Sequence, residues 1–195
     1  MTGQPARVAV VVPGGNYTAD GPLLAYAAEA ARRRGANVHR ITWALPPRAG
    51  TGTTEDAYRD WVASQVTDAL AQAAASAGTG VPATAPVLLA KSLGSLSAPL
   101  AADRGLAAVW FTPLLTDPAT VAALRRASAP CLLIGGTADT FWDGPVARSI
   151  TPHVLEIDGA DHSLLVPGPL AASAAILGQV TTVVENFLDQ ETWPA

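Results

Sequence analysis

Residues 86–97, PVLLAKSLGSLS, hold the stretch from which the rest of the chain can be read. Residues 86–90 are an apolar run without polar alternation, which is how a strand reads when both of its faces are covered. Such strands belong to parallel sheets sandwiched between helices. The run stops at Ala90-Lys91-Ser92-Leu93-Gly94-Ser95, and residues 96–102 then suit a short helix. A strand-to-helix turn tight enough to hold a serine proud of a sheet needs small residues two positions either side of it, here Ala90 and Gly94. In a chain rich in Ala and Gly, the same letters also fit an ordinary turn.

Working outward, five more β-type runs appear: 7–13 (RVAVVVP), 37–43 (NVHRITW), 107–112 (AAVWFT), 131–135 (CLLIG) and 153–157 (HVLEI). Only 37–43 alternates clearly, as an edge strand with one wetter face does. Helical segments separate the runs. Residues 23–34 end in three arginines before Gly35, a C-terminal helix signal. Residues 54–75 are Ala-rich, and 118–127 carry Pro in the first turn. Residues 145–150 have room for a turn or two, and 170–188 form the last helix. Six β-α units predict a three-layer, doubly wound α/β domain spanning residues 1–195. The Pro/Gly/Thr-rich segments 45–54 and 76–85 read as loops, the first bordering a site and the second on the opposite face.

Composition narrows the function. The 195 residues are 49% apolar and only 14% charged, with a net charge of −4, so there is no basic excess to neutralise nucleic-acid phosphates. One cysteine, Cys131, excludes a disulfide scaffold and a cysteine-built zinc site. No metal or organic cofactor has an evident site. The apolar run 8–12 is far shorter than a membrane span or a signal-peptide core, so no membrane-spanning segment is expected and the expected location is cytoplasmic. The composition leaves the oligomeric state open. The GG in PGGN (13–16) lacks the Lys-Ser/Thr ending of a phosphate loop.

Three chemistry-bearing residues follow the C-terminal ends of three different strands. Ser92 follows the third. Asp139 lies in GGTAD (135–139) after the fifth, with Asp143 its nearest competitor and Asp117, after the fourth strand, a weaker one. His162 lies in GADHSL (159–164) after the sixth. His39 and His153 sit within or at the start of strands, at the wrong end. Taken with VVVPGGN (10–16), the order Ser, Asp, His resembles the α/β-hydrolase family. That resemblance covers most of the chain, and GADHSL is its most specific piece.

The resemblance implies a triad of Ser92, Asp139 and His162, and a sheet of order 2-1-3-4-5-6. It also implies an oxyanion hole from the backbone N–H groups of Leu93 and of Gly15 or Asn16. The sheet would lack the family's two N-terminal strands. The five residues 113–117 leave no room for the cap often inserted there, so the pocket would be shallow or loop-built. Its candidate walls are Tyr17, residues 45–54, Leu114 and Leu115, and the pair Phe141-Trp142, of which Tyr17, Leu114 and Trp142 are the substrate-binding candidates. For Phe141-Trp142, core packing of one ring competes with that role. Ala90 replaces the family's commoner Gly. Lys91, the only lysine, would pack its stem or pair with an acid, because neighbours at a tight turn point apart and do not form a Ser-Lys dyad.

The function implied is a serine hydrolase acting through an acyl-enzyme on a small or carrier-bound carboxylic ester or thioester. A lyase, isomerase or cyclase on the same fold is the alternative.

Overall fold

In a computed structural model of the chain, residues 6–43, 55–76 and 84–194 are described. The segment 45–54 lies outside these, as do residues 77–83 of the segment 76–85. Six strands form one parallel sheet: β1 (Arg7–Val12), β2 (Ala36–Arg40), β3 (Val87–Lys91), β4 (Ala108–Phe111), β5 (Cys131–Gly136) and β6 (Val154–Ile157). Their order is β2-β1-β3-β4-β5-β6, with the chain reversing direction across the sheet between β1 and β3. Helices α1 (Pro22–Arg33) and α6 (Leu170–Phe187) cover one face. On the other lie α2 (Glu55–Ser76), α3 (Ala98–Arg104), α4 (Pro118–Arg126) and α5 (Gly144–Ile150). This is the α/β-hydrolase fold in a small form, with no lid among the described residues.

The unalternated strands are those at the centre. Every residue of β3, β4 and β5 is buried, whereas edge strands β2 and β6 keep half-exposed positions. Side chains leave a strand alternately, so β3 sends Leu89 to the α1–α6 core and Leu88 and Ala90 to the opposite one. Burying each such leucine contributes about 1.5–3 kcal/mol.

Two expectations change. Residues 92–97 form a 3₁₀ turn, and α3 starts only at Ala98. Pro99 explains the shift: without an N–H it fits the first turn of an α-helix and not the interior. Among the described residues one segment, Leu170–Thr192, is also long and apolar enough to cross a membrane by length and composition. It contains no unbroken apolar run of that length, because Ser, Thr, Gly and Gln interrupt it. Its Val180, Val184 and Phe187 are seated in the core.

Candidate active site

At the end of β3 the backbone turns sharply. Ser92 has φ 50°, left-handed backbone that few non-glycine residues adopt. A Cβ on Gly94 would sit 3.0 Å from the Val12 carbonyl oxygen and 3.1 Å from that of Pro13, so a larger residue would push the turn off β1. Hydroxyls stitch the turn together. Ser95 Oγ donates to the Ser92 carbonyl (2.7 Å) and accepts from Leu114 N–H, while Ser97 Oγ donates to the Gly94 carbonyl. Ser95 and Ser97 are thus occupied structurally, and Ser92 Oγ faces the cavity.

His162 Nε2 stands 2.7 Å from Ser92 Oγ, and its Nδ1 stands 2.8 Å from Asp139 Oδ2. A carboxylate only accepts, so Nδ1 carries the proton and Nε2 presents a lone pair to the serine hydroxyl. The Asp139 side chain is fully buried, and its other oxygen accepts Phe141 N–H at 2.9 Å. The competing acids have other work. Asp143 caps α5 through Val146 N–H, and Asp117 caps α4 through Thr120 N–H while pairing with Arg59 at 3.0 Å. His39 lies in β2, and His153 lies 3.8 Å from Glu191.

The loop carrying His162 is anchored on several sides. Asp161 Oδ1 accepts the N–H groups of Ser163 and Leu165. Ala138 N–H donates to the Ala160 carbonyl, and a Cβ on Gly136 would lie 2.2 Å from that same oxygen. Glycine at the end of β5 therefore lets this loop lie directly against the sheet. The Phe141 ring and the imidazole meet in a T-shaped contact, 5.2 Å between centroids.

Lys91 adds a fourth anchor, and here the expectation of an acid partner is corrected. Its Nζ donates to Thr112 Oγ1 and to the His162 carbonyl, both at 2.9 Å, and lies 4.8 Å above the centre of the Tyr17 ring. Among the described residues no carboxylate reaches it at ion-pair distance. The side chain is almost wholly buried. Burial pulls its pKa down to about 8, against a smaller upward pull from Asp139 and Asp161. The signal for this role was present in the sequence, as a sole lysine ending an apolar strand.

A cavity of about 350 Å³ opens over Ser92 and His162. Gly15, Asn16, Tyr17, Leu93, Leu114 and Phe141 line it. The Leu93 N–H begins a helical turn and so has no partner within it. Trp142 does not line this cavity, contrary to expectation. Its indole packs flat under Gly135, where a Cβ would fall within 2.3 Å of ring atoms or closer, and its N–H donates to Glu156 at 2.7 Å. An indole N–H drawn out of water needs an acceptor, and Glu156, opposite Gly135 on β6, supplies it, so Phe141 faces the cavity instead. Leu115 is likewise buried away from the cavity. Among the described residues, no three His, Cys, Asp or Glu side chains gather as a metal would require.

No protein-family profile matches the chain. No curated protein matches it either. Solved structures do share its fold. An α/β serine hydrolase homologue from Coxiella burnetii is 12% identical with a TM-score of 0.67, covering 93% of this chain and 86% of its own. A lidless α/β serine hydrolase from Xanthomonas campestris is 15% identical with a TM-score of 0.63, covering 94% and 84%. Est1E from Butyrivibrio proteoclasticus is 12% identical with a TM-score of 0.68, covering 97% and 89%.

Proposed function

We propose that this chain, which has the α/β-hydrolase fold, is a serine hydrolase that cleaves a carboxylic ester or thioester through an acyl-enzyme on Ser92. The observation carrying this is the unbroken chain from Ser92 Oγ through His162 to buried Asp139, at 2.7 and 2.8 Å, on a strained turn. Each link has a chemical task. His162 Nε2 removes the hydroxyl proton as Ser92 Oγ attacks the acyl carbon. Asp139 holds the imidazole tautomer and stabilises the imidazolium. The developing oxyanion is met by the N–H of Leu93 and by that of Gly15 or Asn16. His162 then protonates the departing group, and water, activated by the same imidazole, hydrolyses the acyl-enzyme.

Water is the only co-reactant this route needs. The open cavity suits a small ester or an acyl group presented on a carrier. The test is a fluorophosphonate probe with a panel of p-nitrophenyl esters and acyl thioesters. Wild type should be labelled at Ser92 and turn over part of the panel, while Ser92→Ala is not labelled and loses roughly 10³-fold or more in turnover. A folded wild-type protein that stays unlabelled and inert removes the proposal.

A further inference from the structure

Tyr17 borders more than the cavity over Ser92. Tyr17 and Ser163 also line a second, larger cavity of about 460 Å³, bounded by α1, the loop after His162 and the first half of α6. Its walls include Leu23, Leu164, Leu165, Leu170, Ile176 and Leu177, and among the described residues no charged side chain lines it.

Several features mark this groove as built for an apolar occupant. Two of its three polar side chains are engaged with backbone: Tyr17 Oη accepts Leu23 N–H, and Ser173 Oγ accepts Val166 N–H. Leu164 is held at φ 58°, a conformation that glycine would take freely, yet a leucine is there and 2% exposed. At the lip, Leu165 and Leu170 are 47% and 76% exposed. A chain lying along the groove would remove these apolar surfaces from water. From Leu170 to Leu177 the helix advances roughly 10 Å. That is the span of about eight bonds of an extended chain.

The proposed chemistry orients the substrate. As the tetrahedral intermediate collapses, the bond from acyl carbon to alcohol oxygen breaks. That oxygen takes the proton held on His162 Nε2 and departs as the alcohol, while the acyl group stays on Ser92 Oγ. The leaving oxygen must therefore lie against His162, next in the chain to residues 163–165, which form part of the groove wall. We infer that the groove holds the aliphatic chain of the leaving alcohol, making esters of medium-chain primary alcohols the substrate class. This rests on the serine-hydrolase reading.

The test compares n-alkyl acetates, ethyl to decyl, with p-nitrophenyl esters, acetate to decanoate. Along the alkyl series kcat/KM should rise about three- to fourfold per methylene until the groove is filled. Ala174→Phe, on an exposed position of α6 lining the groove, should cost octyl acetate tenfold or more relative to ethyl acetate. Leu170→Asp should act in the same direction. A flat alkyl series, a rise confined to the acyl series, or an unchanged slope in Ala174→Phe overturns the inference. So does binding to phosphatidylcholine vesicles that Leu170→Asp abolishes while the alkyl series stays flat. If no ester turns over and Ser92 resists the fluorophosphonate, it is the hydrolase reading that fails. The groove is then judged by calorimetry with 1-octanol. Saturable binding weakened at least tenfold in Ala174→Phe upholds an alkyl site, and absence of binding overturns it.

Discussion

Replacing Lys91 by methionine keeps the apolar stem and removes the buried ammonium. In the unfolded chain a lysine holds its proton up to 10.5; in the folded protein burial lowers this to about 8. A shift of that size corresponds to about 3 kcal/mol of unfavourable free energy while the folded lysine is charged. Against this stand the two acceptors, Thr112 Oγ1 and the His162 carbonyl, each losing its donor at a cost of about 1–3 kcal/mol. These contributions are of one order, so the stability difference at neutral pH is small and diagnoses nothing. Its pH dependence does.

A folded pKa below the unfolded one means the unfolded chain binds more protons between pH 8 and 10.5, so wild type gains stability as pH rises through that window. The gain is lost as pH falls through about 8. The Lys91→Met variant has no such contribution, while Cys131, raised to about 11 by burial, is present in both proteins. Urea denaturation of the pair from pH 7 to 10.5 should show wild type gaining up to about 3 kcal/mol on the variant. A constant difference, or one moving the other way, refutes the account. Activity supplies a second reading. Lys91 tethers the backbone of the residue carrying the imidazole, and a displacement of about 1 Å can cost about 10²-fold. A drop in kcat of that order with little change in KM is expected. Unchanged kcat in the folded variant would mean that the loop needs no tether.

Asp139→Asn should lower kcat by about 10³–10⁴-fold by inverting the imidazole tautomer. Asp143→Asn should leave it nearly untouched, since Asn caps a helix as well as Asp; the two rates measured side by side decide between the acids. In a pH–rate profile, kcat/KM should fall on acidification, because a protonated His162 has no lone pair for the Ser92 proton; a flat acid limb contradicts that role. Gly136→Ala places a methyl against the Ala160 carbonyl and should destabilise the fold by about 1–3 kcal/mol in urea titration, with the His162 loop disturbed first. Equal stability would mean the loop can lift without loss.

What could be read along the chain was local. The apolar runs at 8–12, 87–90, 108–111 and 131–134 announce central strands because burial on both faces removes the need for polar residues. Ser92 stood out because a tight turn constrains its near neighbours. The sequence leaves Asp139 and Asp143 as rivals, since both follow β5 within a few residues. The structure separates them: Asp139 meets His162 Nδ1 at 2.8 Å, while Asp143 is engaged at the start of α5. Trp142 and Phe141 could not be told apart for a similar reason: adjacent residues face opposite ways, and which one faces the cavity depends on where Glu156 lies.

The layering of the molecule and the three strand ends at which reactive side chains emerge are legible in the order of residues, because hydrophobic period and turn sterics act over a few neighbours. Folding in three dimensions is what brings Ser92 and His162, 70 residues apart, to 2.7 Å, turns Lys91 to a backbone carbonyl rather than an acid, and opens a leucine-lined groove beside Tyr17. Those outcomes depend on distances between remote segments and on the direction each side chain takes in a packed interior, and neither is written in the spacing of letters.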